Sequence, residues 1–263
     1  MFTKQILLPI KNQIKGLLQL TIAQKFNEDT KTLSFLHKHK LKPEQIPEEW
    51  KTIYYKGYVR LEQILLPKPT NFNFNLYDSL LKRKSTRGFL QNKMRLVDFS
   101  QLLYYSAGIK KWMTNEESTY RFYPSAGARY PLEVYPVVLN VESLQTGLYH
   151  YHVKTHSLEK LPTTNIKEKV MKQFNQRFVR SSAVILLITA VFQRTVMKYK
   201  NRGLRHIYTE YGHLAQNIYL LSTVNNIGCC SIGGYLDDGL NSMLDIHGED
   251  ESVIGVIVLG SIQ

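Results

Sequence analysis

Residues 183–190 read Ala183-Val184-Ile185-Leu186-Leu187-Ile188-Thr189-Ala190, a run in which Thr189 is the sole polar side chain. With apolar groups at both odd and even positions, such a run has no solvent face. It reads as a strand covered on both sides, the centre of a layered sheet. Working outward, residues 166–178 have the spacing of an amphipathic helix, and 132–141 and 148–153 read as two more strands, the second opened by Gly147. Further back, 76–81 and 98–107 read as helices, the latter closed by Gly108 as a left-handed cap. On the other side, 203–226 is the longest helical pattern, followed by strands at 227–232 and 253–259. Strands and helices do not alternate strictly, so the pattern predicts a mixed α+β fold. No internal repeat or low-complexity tract is visible.

The chain has 263 residues, 43% of them hydrophobic, which excludes a disordered chain and suffices for one large domain or two small ones. Lys and Arg number 34 against 21 Asp and Glu, a formal charge of +13. That balance points to anionic partners. The basic residues are scattered, however, and no helix-turn-helix, zinc or aromatic-basic RNA motif accompanies them, so nucleic acid is not the expected partner. The two cysteines, Cys229 and Cys230, are adjacent and so poorly placed for a disulfide, which suggests a reducing compartment. The apolar stretch 183–192 is about half the roughly 20 residues a membrane span needs. Ile6-Leu7-Leu8 is broken by Pro9 and Lys11, too early for a signal-peptide core. The expectation is a cytoplasmic protein with no membrane partner.

Residues 1–70 differ in character from 71–263. They hold 12 basic and 6 acidic residues, a basic run at 37–42 and breaks at Pro43, Pro47, Pro67 and Pro69. Pro47-Glu48-Glu49-Trp50 has the form of a helix start, with carboxylates where the helix dipole favours them. Trp50, Tyr54, Tyr55 and Tyr58 argue against a free tail. These residues read as a basic arm packed on a main domain spanning 71–263.

Three segments carry chemistry-bearing residues. Arg83-Lys84-Ser85-Thr86-Arg87 follows a helix, and its cations and hydroxyls suit a phosphate; it is equally a basic helix end favoured by the dipole. Pro124-Ser125-Ala126-Gly127 precedes a buried strand, where small residues let a flat ligand lie against the backbone; an ordinary tight turn is the alternative. Lys198-Tyr199 leads into the long helix, whose Gly212 suggests close approach of another backbone and whose His213 reads as a hydrogen-bonded core histidine. Ser231-Ile232-Gly233-Gly234 closes a strand. His150 and His152 alternate on a strand without acidic company, and no metal site is expected.

In this order the segments resemble the nitroreductase-like flavoprotein superfamily, and within it the SagB-type azoline dehydrogenases of thiazole/oxazole-modified peptide biosynthesis. The resemblance runs from Pro47-Glu48-Glu49-Trp50 through Arg83–Arg87, Pro124–Gly127, Lys198-Tyr199 and Gly212-His213-Leu214-Ala215-Gln216-Asn217 to Gly233-Gly234. It implies an α+β fold with a central, mostly antiparallel sheet flanked by helices, in a domain-sharing homodimer that holds FMN at its interface. By the same resemblance Arg83, Ser85 and Arg87 grip the FMN phosphate and ribityl chain, while Pro124, Ser125, Ala126 and Gly127 lie along its ring. Gln216, Gly233 and Gly234 complete the cofactor set, and Lys198 and Tyr199 are the pair associated with dehydrogenation.

The activity so implied is aromatisation of a thiazoline or oxazoline ring in a ribosomally made precursor peptide, which removes two electrons and two protons. Lys198 would take the acidic ring proton, with Tyr199 donating to or relaying from the developing anion. Neighbours on a regular strand face opposite ways, so both can serve one site only where the backbone is irregular. A cyclodehydratase is the implied partner complex. The rival on the same scaffold is a generic NAD(P)H-dependent nitro- or quinone-reductase.

Overall fold

The computed structural model describes residues 21–32, 46–71, 74–113 and 119–262; the basic run at 37–42 lies outside the described residues. The elements in chain order are α1 (Ile22–Asp29), α2 (Glu48–Lys51), β1 (Gln63–Leu65), α3 (Leu76–Lys82), α4 (Leu96–Ala107), β2 (Ile109–Trp112), β3 (Thr119–Arg121), β4 (Leu132–Val138), β5 (Gly147–His152) and β6 (Ser157–Leu161). Then follow α5 (Ile166–Met171), β7 (Val184–Val191), α6 (Gln193–Tyr199), α7 (Arg202–Val224), β8 (Ile227–Ile232), α8 (Asp237–Met243) and β9 (Glu251–Ser261). Seven strands form one sheet in the order β1-β6-β5-β4-β7-β9-β8, and each neighbouring pair is antiparallel. β2 and β3 pair as a separate hairpin.

The strand opened at residue 184 lies inside the sheet, between β4 and β9, as its composition requires. Val184, Leu186, Ile188 and Ala190 point into one core with Phe99, Leu102 and Leu103 of α4 and Ile207, Leu214 and Ile218 of α7. Ile185 and Leu187 point into a second core with Ile166 and Val170 of α5 and Leu240 of α8. Period-2 alternation thus feeds two hydrophobic layers. β1 adds an edge to the sheet through Gln63–Leu65, and Ile53 and Leu66 are buried in the α4/α7 core.

Two expectations need correction. Gly108 ends α4 with φ −70° and ψ 176°, not in the left-handed region. Glycine is required there by close approach, because a Cβ would collide with the Tyr104 carbonyl oxygen whose hydrogen bond Gly108 N–H makes. The helix expected over 166–178 stops at Met171; a short 3₁₀ turn, Arg177–Ser181, follows. There the Leu236 N–H donates to the Gln173 carbonyl, so a tertiary contact takes an acceptor the helix would have used. Residues 193–199, to which the sequence pattern assigned no element, form the helix α6.

Candidate active site

The singled-out residues assemble in two clusters that touch different flanks of α7. In the first, the chain leaves α3 and runs along β8, where the Thr86 N–H donates to the Cys229 carbonyl at 2.9 Å. Tyr219 of α7 is its hub. The Arg83 guanidinium lies 5.4 Å from the centroid of that ring. The Tyr219 hydroxyl is 3.2 Å from Ser85 Oγ and accepts the Ser231 N–H at 2.8 Å. Ser231 leads out of β8 into Gly233 and Gly234, and the Gly234 carbonyl accepts from the Gln176 amide at 3.0 Å. Arg87 and Ser85 are exposed and Arg83 is half-buried. Among the described residues neither guanidinium forms an ion pair with a carboxylate, which leaves a cationic, donor-rich surface.

The second cluster is built on strained backbone. Gly127 has φ +61°, and Ala128 and Tyr130 are also left-handed at +54° and +46°. Each such non-glycine residue costs on the order of 1–3 kcal/mol and persists only where its surroundings over-determine it. Ser125 Oγ accepts the Tyr130 N–H at 2.8 Å, and the Tyr130 hydroxyl accepts the Arg121 N–H at 3.1 Å. From α7, His213 Nδ1 lies 3.4 Å from the Pro124 carbonyl, and the Asn217 amide donates to Phe122 O at 3.4 Å.

Lys198 and Tyr199 occupy the last turn of α6, which Lys200 ends with φ +52°. A Cβ built on Gly127 would stand 2.6 Å from the Tyr199 hydroxyl and 2.9 Å from Lys198 Nζ. The two side chains therefore converge on one spot over Gly127. A helix end achieves this because its neighbours are about 100° apart, not opposed as on a strand. Burial lowers the Lys198 pKa, and the nearby Arg129 cation lowers it further. Burial raises that of Tyr199 against the pull of Arg129.

Beneath this loop lies Glu210 of α7, 2% exposed, whose carboxylate oxygens make no hydrogen bond of ordinary geometry. It faces Ser125, Ala126 and the Arg121 cation, and burial pushes its pKa up to about 8. Farther in, a polar chain crosses the sheet. Glu159 Oε2 is 2.7 Å from His150 Nδ1, Glu133 Oε2 is 3.2 Å from His150 Nε2, and Glu133 Oε1 pairs with Arg194 of α6 at 2.6 Å. Burial works to lower the His150 pKa, but the two carboxylates outweigh it and raise it. For Glu133 burial is outweighed by Arg194 and His150, which bring it down to about 2.

Several sequence expectations are corrected here. His150 has two carboxylate neighbours, which its strand sequence hid because they stand on β4 and β6. His213 is exposed, not a core histidine. Among the described residues no atom outside the helix comes within 4 Å of a Cβ at Gly212, so the close approach expected there is not seen among them. Gln216 lies on the same exposed side of α7. Sequence reasoning missed Glu210, Arg194 and the role of Arg129; a lone arginine in a small-residue loop was the available signal for the last.

At about 100° per residue, Glu210, His213 and Asn217 share one flank of α7, while Tyr211 and Tyr219 share another. Among the described residues no hydrogen bond or ion pair links the two clusters. Nor does any group of His, Cys, Asp and Glu there form a metal site, and no helix is long and apolar enough to cross a membrane.

An antiparallel sheet between two helical layers, with this disposition of functional groups about a central helix, defines the nitroreductase-like α+β class. The sequence profile of the Nitroreductase family matches residues 80–261, and the chain belongs to that family. It is 33% identical over 172 residues to a nitroreductase-type protein of Methanocaldococcus jannaschii, covering 65% of this chain and 84% of the other. It is 24% identical over 180 residues to the trifolitoxin-processing protein TfxB of Rhizobium leguminosarum bv. trifolii (65% of this chain, 48% of that one). With the microcin B17-processing protein McbC of Escherichia coli it shares 30% identity over 126 residues, 46% of each chain. A solved nitroreductase-type structure from Anabaena variabilis superposes with a TM-score of 0.70 at 27% identity, covering 92% of this chain and 46% of that one. The chain thus spans about half the length of TfxB, of McbC and of the Anabaena protein.

Proposed function

We propose that the protein is an FMN-dependent dehydrogenase that oxidises thiazoline or oxazoline rings in a precursor peptide to thiazoles or oxazoles. The observation that carries the reading is the convergence of Lys198 Nζ and Tyr199 Oη over Gly127. Similarity to two proteins named for toxin-peptide processing supports the substrate class. A multi-enzyme complex with a cyclodehydratase belongs to the same reading.

The residues fit the cofactor. Arg83 and Arg87, without carboxylate partners among the described residues, and the Ser85 hydroxyl beside Tyr219 offer donors to a phosphate. At Gly127 the absent side chain leaves a cradle that a Cβ would fill. Bound flavin supplies the two-electron acceptor. Lys198, with its proton affinity lowered by burial and by Arg129, takes the ring proton made acidic by the adjacent C=N and carbonyl. Tyr199, held protonated by its surroundings, donates to the developing charge.

The clamp of Arg83–Arg87 and the Gly127–Lys198 wall lie on different flanks of α7, whose diameter with side chains is about 10 Å. We infer a homodimer in which the clamp of one copy and the wall of the other flank one flavin. Leu76, Tyr77, Leu80 and Leu81 of α3, each more than half exposed, and Tyr208 of α7 offer apolar surface for that contact. The test is the purified protein itself: a flavin absorbance spectrum, a dimer mass, and loss of two hydrogens per ring from an azoline peptide. Turnover of nitroaromatics with NADPH and none of the peptide would favour the generic reductase.

A further inference from the structure

Arg129 is 2% exposed and has no carboxylate partner among the described residues. A buried cation without a counter-charge is costly, so its hydrogen bonds must hold it in place. All go to acceptors without full charge. Nε donates to the Arg194 carbonyl at 2.8 Å, Nη1 to the Trp50 carbonyl at 2.8 Å, and Nη2 to the Glu49 carbonyl at 2.9 Å and Met197 Sδ at 3.5 Å. One planar fork thus joins three stretches of chain: its own loop beside Gly127, the helix α6 and the single turn α2. Its consequence is visible at Trp50, whose ring centroid lies 5.6 Å from Lys198 Nζ.

We propose that Arg129 is a positioning residue that clamps α2 to α6, so that Trp50 of the N-terminal segment becomes a wall of the active site against the Lys198 amine. The inference rests on the reading of Lys198 as the base. It assigns a role to the Pro47–Trp50 segment, which the flavin chemistry does not otherwise use. A lysine at 129 keeps the charge but cannot serve three carbonyls from one plane. Burial and the Arg129 cation lower the proton affinity of Lys198, while the indole face attracts the ammonium, so the wall fixes where the amine stands and Arg129 supplies the repulsion.

Two readouts test this on the full-length protein without substrate. The first is the pH dependence of reductive methylation at Lys198, read by peptide mass spectrometry. In Arg129→Gln, which removes the repelling cation, the midpoint should move upward, towards that of exposed lysines. The second is acrylamide quenching of Trp50 fluorescence in a Trp112→Phe background, since the chain has two tryptophans. Quenching should rise severalfold in Arg129→Gln and also in Arg129→Lys, the variant that keeps the charge and stands in if the glutamine variant fails to fold. An unchanged Lys198 midpoint in folded Arg129→Gln, or unchanged quenching in folded Arg129→Lys, overturns the proposal. These outcomes are separable from the base assignment. If Lys198→Ala still oxidises azolines, the base reading fails whatever the labelling shows. If it does not, and the labelling is flat, only the clamp fails.

Discussion

The two flanks of α7 are built on opposite principles. Around Tyr219 the functional groups are exposed, cationic and held by a few contacts to one phenol. Around Gly127 they are pressed together on strained backbone and tied by buried hydrogen bonds, down to the buried Glu210 carboxyl that faces Ser125, Ala126 and Arg121. The first is a surface waiting for an anion, and its geometry tolerates adjustment. The second is preorganised, and its energy is already spent on holding two terminal atoms at one point. The proposal of a binding role for one and a chemical role for the other rests on that difference.

The comparison is broken most forcefully at the second flank. Lys198→Ala should lower azoline oxidation by about 10²–10⁴-fold, the usual worth of a general base, with flavin absorbance unchanged. Loss of the flavin instead would make Lys198 a structural residue. Arg83→Gln combined with Arg87→Gln should do the reverse. Flavin affinity, measured by fluorescence titration, should fall by about a hundredfold or more, at roughly 1.5–3 kcal/mol for each of two lost charged hydrogen bonds. Turnover at saturating flavin should be retained. Gly127→Ala sits between these. A methyl there meets Lys198 Nζ and Tyr199 Oη and forces a left-handed alanine, so kcat should drop while the phosphate clamp keeps its affinity.

The smallest effect is a pH dependence at Glu210. Between the ordinary carboxylate range and about 8, the folded protein holds a proton at Glu210 that the unfolded chain has released. Stability therefore falls as pH rises through that window, by at most about 1.4 kcal/mol per pH unit from this group. Glu210→Gln should flatten the fall in melting temperature between pH 6 and pH 8.5; an equal fall in variant and parent would show that the carboxyl is already ionised.

Much of the sheet was legible because β7, β8 and β9 advertise themselves through composition alone, and α7 through its length. The clamp segment and the small-residue loop were legible as motifs. What was hidden depends on groups distant in sequence. Nothing near His150 indicates that Glu133 and Glu159 flank it across the ladder. Nothing near Arg129 indicates that α2 and α6 meet there. The α6 helix was missed for the same reason. Phe192 and Val196 pack onto the α4/α7 core, and Arg194 is fixed by Glu133, so tertiary contacts override a weak local pattern.

Subunit complementation tests the division of labour between the flanks most directly. Mixed dimers of the Arg83→Gln/Arg87→Gln chain with the Lys198→Ala chain contain one intact clamp and one intact base, on different polypeptides. If clamp and base from two copies serve one flavin, the intact pair meets in one of the two sites, and at limiting flavin the mixture oxidises azolines although neither parent does. Mixed dimers as inactive as their parents would show that each chain serves its own flavin from both flanks, contrary to the arrangement inferred here.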